Sequence, residues 1–85
     1  MARRKQQYNI RNEAGHLWQV TAQGPRSAAV AFAAKFKCKY KRWPPLGYQM
    51  RIVPRDTPEL EPDVKYVTAA VIDQAAELLL SEREF

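Results

Sequence analysis

Apolar and polar residues alternate in three short stretches of this chain. Tyr8 and Ile10 are set between Gln7, Asn9 and Arg11. Trp18, Val20 and Ala22 are separated by Gln19 and Thr21, and Tyr48, Met50 and Ile52 by Gln49 and Arg51. A period of two is that of a strand with one face on a core. The spacing therefore predicts three half-buried strands. Their open face would carry Asn9, Arg11, Leu17, Gln19, Thr21, Gln49 and Arg51. Asn12-Glu13-Ala14-Gly15 reads as a hairpin loop between the first two strands, and Pro54 ends the third.

Between the second and third strands the period changes. Ala29, Phe32, Ala33, Phe36 and Tyr40 recur at helical spacing, which at about 100° per residue gives a stripe roughly 100° wide. The lysine run 35, 37, 39 and 41 also alternates with Phe36, Cys38 and Tyr40, as a strand would. The alanine-rich segment 28–34 favours the helix, which is expected over about 26–41. Gly24 or Ser27 would cap it, with Pro25 in the first turn. Pro44 and Pro45 end it and push Trp43 out of helical geometry. A last helix is expected over about 63–83, after a linker at 56–62. Its stripe is Val64, Val67, Val71, Ala75, Leu78 and Leu79. Tyr66, Ala69, Ala70, Ile72, Ala76 and Leu80 make it apolar over most of its circumference, so it is either wedged between two surfaces or a dimer seam. The seam would be Val67, Val71, Ile72, Leu78 and Leu79.

The expected class is α+β: a three-stranded antiparallel sheet in β-β-α-β-α order, with one helix or both on one face. Residues 1–5 would be a basic arm, and 6–85 one small domain. At 85 residues the core is limited. No apolar run approaches the roughly 20 residues that span a bilayer. The basic start lacks the apolar segment of a signal peptide. With Cys38 the only cysteine, no intrachain disulfide can form, and a reducing cytoplasm is the simplest setting.

Charge divides the chain more sharply than its net +5 suggests. Residues 1–55 hold twelve Lys or Arg against Glu13 alone; residues 56–85 hold two against eight Asp or Glu. A basic body of this kind calls for a polyanionic or acidic partner. Catalysis is not expected. His16, the single histidine, has no acid or nucleophile predicted beside it, and Cys38 has no histidine partner. One His and one Cys cannot hold zinc, and the three glycines do not form a phosphate loop. No cofactor or metal is expected.

Three groups of residues are candidates for binding. Lys35, Lys37, Lys39 and Lys41 are either a solvated helix surface, with stems along the core edge, or an electrostatic footprint for nucleic acid or an acidic protein. Trp43 beside Arg42 is either a lid over the sheet end or a rigid anchor. Arg11 and Arg51, with Gln19 and Gln49, are either ordinary solvation of a sheet or a flat docking surface.

From Ala22 to Arg55 a pattern emerges: Val20-Thr21-Ala22, Ala28-Ala29, Ala33-Ala34, Pro45-Leu46-Gly47-Tyr48, then Arg51 to Arg55. It resembles the small RNA-polymerase inhibitors made by lytic coliphages, and several small anti-CRISPR proteins are similar in layout. The resemblance covers under half of the chain. The helix here is about two turns longer, and the acidic last helix has no counterpart. The resemblance implies strand arginines set against an acidic polymerase surface, carried here by Arg51 and Arg55.

Three functions follow as expectations. The first is a non-enzymatic phage-type protein that modulates a host nucleic-acid machine, RNA polymerase or a CRISPR effector, through Lys35, Lys37, Lys39, Lys41, Arg42, Trp43, Arg11, Arg51 and Arg55. The second is direct, weakly sequence-specific binding of DNA or RNA. The third is an assembly module that forms a homodimer through the last helix.

Overall fold

The alternation at the start of the chain folds as a hairpin of β1 (Gln6–Asn12) and β2 (Leu17–Ala22). The computed structural model describes residues 5–83, so of the expected arm at 1–5 only Lys5 falls within the described residues. Asn12 closes the loop: its Oδ1 accepts the His16 N–H at 2.9 Å, and its own N–H donates to the His16 carbonyl. α1 (Pro25–Tyr40) follows, then β3 (Gln49–Pro54), β4 (Asp63–Tyr66) and α2 (Ala69–Arg83).

The α+β class and the antiparallel sheet are as expected, but the sheet has four strands in the order β2-β1-β3-β4. The element order is therefore β-β-α-β-β-α rather than β-β-α-β-α. The added strand is the segment 63–66, expected as the first turn of the last helix. Val64 and Val67 suit a helical stripe, but Val64-Lys65-Tyr66 equally alternates, and valine and tyrosine prefer a pleated surface. Pairing with β3 decides: Gln49 faces Tyr66 and Ile52 faces Asp63. The helix starts at Thr68, whose hydroxyl accepts the Val71 N–H at 3.2 Å, an N-cap contact to the third helical position. Residues 56–62 thus turn the chain from β3 into β4.

α1 matches its expected range within a residue. Its N-cap is Gly24, with Pro25 in the first turn, and it ends on Lys41 in the left-handed region (φ 62°). Two layers of core meet on this helix. Ala28, Ala29, Phe32 and Phe36 pack on the sheet with Tyr8, Ile10, Val20, Met50 and Ile52. Val30, Ala33 and Ala34 pack against Ala75, with Val71, Leu79 and Trp43 around them. α1 is thus sandwiched between the sheet and α2. Alanines on the α2 side let the two helix backbones approach closely.

Val67 corrects the expected dimer seam. It lies outside α2, buried in the core beneath α1. Its N–H donates to the Tyr48 carbonyl and its carbonyl accepts the Gly47 N–H. Ile72 packs on that same core, and Val71 and Leu79 pack on α1. Of the five seam residues only Leu78 is exposed. Val71, Ile72, Ala75 and Leu79 of α2 are thus engaged within the chain, whereas Leu78 and Leu80 stay exposed.

Candidate binding surface

A 16-residue helix rises about 24 Å, whereas six strand residues cover about 20 Å. The last turn of α1 therefore overhangs the hairpin end of the sheet; it carries Lys37 and Lys39, with Lys35 just before it and Lys41 at the C-cap. It lies on an aromatic cluster. Trp18 meets Phe32 edge-on at 5.1 Å and Phe36 at 6.1 Å, and Phe36 meets Tyr40 at 4.7 Å.

The helical period divides the lysines between two flanks, and each flank finds its own partners. On the β2 side, Lys35 Nζ donates to the Gln19 carbonyl at 2.6 Å, and Lys39 Nζ stands 5.2 Å from the Trp18 ring centre. On the α2 side, Lys37 Nζ lies 5.7 Å from the Trp43 ring centre and donates to the Lys41 carbonyl at 3.3 Å. These partners are carbonyls and aromatic faces. They orient the ammonium groups and, among the described residues, leave the positive charge uncompensated.

Trp43 is half-buried in the α1–α2 seam, and Pro44 behind it is fully buried. The ring is thus set against the two helices rather than over the sheet end, with Lys37 Nζ near it. Arg42 is exposed beside it.

The arginines lie elsewhere. Leu17, Arg11, Arg51 and Val64 form one row across all four strands, on the sheet face away from α1. Arg11 donates to the Gly15 carbonyl at 2.7 Å. Arg55 is tied to the Gln7 side chain and main chain on the same face. The structure thus does not bring the nine residues into one patch: lysines line two flanks of α1, Arg42 and Trp43 lie at its C-terminal end, and Arg11, Arg51 and Arg55 occupy the far side of the sheet.

Sequence reasoning missed two features. Tyr66, 52% exposed, joins the open face next to Gln49; its signal was the strand-like composition of 64–67. A groove also runs along the outer edge of β2, between that strand and α2, with Ala31 and Ala34 at its base and Leu78 across it. Lys5, Lys35 and Lys39 line it. The groove follows from strand order, which no local pattern reveals. Cys38 is exposed on its wall. Among the described residues no cluster of three potential metal ligands occurs, and no helix is long and apolar enough to cross a membrane.

Comparison of the chain with protein-family models, curated proteins and solved structures gives no match.

Proposed function

We propose that this protein is a non-enzymatic binding module whose α1 lysines engage an acidic surface of a nucleic-acid-processing complex. In this reading it is a small phage-type modulator of RNA polymerase or a CRISPR effector, acting in the cytoplasm. One observation carries the proposal. Lys35, Lys37 and Lys39 are positioned by uncharged partners, so a fixed array of positive charge is ready before any ligand arrives. Preorganisation lowers the entropic cost of binding, and such an array also steers association with an acidic partner. The half-buried Trp43 favours a protein partner over a stacked single strand.

A tagged capture from bacterial lysate, with and without nuclease, tests it. Recovery of one protein complex that survives nuclease is the expected result. Capture of nothing overturns the proposal.

A second reading rests on the open sheet face. Arg11 and Arg51 beside the exposed Tyr66 combine charge with an aromatic surface, as direct nucleic-acid binding requires. Recovery that vanishes on nuclease treatment, with affinity falling steeply in salt, would favour it.

A further inference from the structure

We propose that the free edge of β2 receives an extended acidic segment of the partner, which adds to the sheet as a further strand. The inference deepens the reading of α1 as the binding element and rests on it.

The ladder pattern identifies the free edge. The Asn12 N–H donates to the His16 carbonyl, and Arg11 faces Leu17 in register. Antiparallel pairs alternate between hydrogen-bonded and non-bonded. Trp18, Val20 and Ala22 therefore bond to β1, and Leu17, Gln19 and Thr21 turn their main-chain groups outward. β2 lies at the sheet edge, and no described strand pairs beyond it. Of these outward groups, the Gln19 carbonyl is met by the Lys35 ammonium.

A strand added here would lie about 4.8 Å from β2, over the groove. Alternate side chains would enter it and meet Ala31, Ala34 and Leu78, with Lys5, Lys35 and Lys39 around them. That lining fits apolar side chains flanked by carboxylates. Lys35 then acts as a latch. While the groove is empty it covers the Gln19 carbonyl, as edge lysines do against unwanted pairing. A carboxylate in the groove draws it away and frees that carbonyl for an incoming N–H. Main-chain bonds supply affinity and the groove supplies selectivity. A second copy of this chain fits poorly, because pairing two β2 edges would bring Lys35 and Lys39 against their counterparts.

The test uses the full chain, isotope-labelled, and a pool of peptides about six to nine residues long in which valine or leucine alternates with aspartate or glutamate. The expected result is saturable binding that weakens with salt and slows amide exchange at Leu17, Gln19 and Thr21. A pool with lysine in place of the acids should not bind. Thr21→Pro removes an outward N–H at a position where an edge strand tolerates proline. It should weaken binding about tenfold, the loss of one main-chain bond, with an unchanged circular dichroism spectrum. Lys35→Glu should weaken it at least as much. Absence of binding, protection elsewhere, Thr21→Pro binding as tightly as the parent, protection of the same amides by oligothymidylate, or self-association through this edge each overturns the inference. The lysate capture separates it from the broader reading. If Lys35→Glu abolishes capture but Thr21→Pro does not, the basic surface stands and strand addition fails. If neither matters, both fail.

Discussion

Arg11 and Arg51 stand directly opposite each other in the β1–β3 ladder, two like charges paired across neighbouring strands on the exposed face of the sheet. Such a pair is destabilising by a few tenths to about 1 kcal/mol. Arg51→Thr keeps strand propensity and removes the repulsion. It should raise the free energy of unfolding by about 0.5 kcal/mol in urea titrations. If the face also binds a polyanion, the same variant loses affinity as it gains stability.

The two flanks of α1 can be separated by charge reversal. Lys35→Glu with Lys39→Glu alters the flank along β2, and Lys37→Glu with Lys41→Glu alters the flank beside Trp43. The first pair should abolish capture of the partner, and the second should leave most of it. Equal losses from both would mean that diffuse attraction, rather than the β2-side groove, governs recognition. Each variant needs a thermal melt, because removing the Lys39 contact with Trp18 costs about 0.5–1 kcal/mol by itself.

Among the described residues, Gly15, Gly47 and Lys41 carry left-handed backbone, and two of them make a test. Gly47 (φ 83°) follows Leu46 in a turn closed by the Tyr48 N–H donating to the Pro45 carbonyl. Positive φ at the third residue of this turn calls for glycine. Gly47→Ala should destabilise by about 1 kcal/mol, from the backbone alone, since an added Cβ would meet no atom within 4 Å. Lys41, which ends α1 at φ 62°, is the converse. Lys41→Gly should stabilise by up to about 1 kcal/mol. Denaturant midpoints measure both.

Phe32 is fully buried where α1, Trp18 and Phe36 meet. Phe32→Ala should cost about 3–5 kcal/mol, a large share of the stability of a small domain. Loss of near-ultraviolet dichroism at ambient temperature is the expected signature. Thr68→Ala should cost only about 1 kcal/mol. Its effect should show first as faster amide exchange at the start of α2, with β1 unaffected.

The core was legible mostly where one period ruled, although Tyr40, at the end of the helical stripe, is 39% exposed. Tyr8, Ile10, Val20, Met50 and Ile52 alternate and are buried; Ala29, Phe32, Ala33 and Phe36 recur at helical spacing and are buried. The segment 63–67 was not legible, because Val64, Val67 and Val71 satisfy a helix while Val64 and Tyr66 satisfy a strand. Long-range pairing with β3 settled it, and no window of local sequence contains that pairing. The binding residues were legible as chemistry but not as geometry. A run of lysines announces charge. The sheet that separates it from Arg11 and Arg51 appears only once the strands are ordered.

That strand order also governs how the chain is completed during synthesis. β1 is an inner strand, yet its second neighbour, β3, begins 37 residues after β1 ends. At about 5–20 residues per second, the ribosome takes roughly 2–7 s to supply it. In that interval Tyr8 and Ile10 have only the hairpin and the growing helix for cover. Slow decoding of residues 41–54 lengthens that interval, so a synonymous change there should lower soluble yield without altering a single side chain.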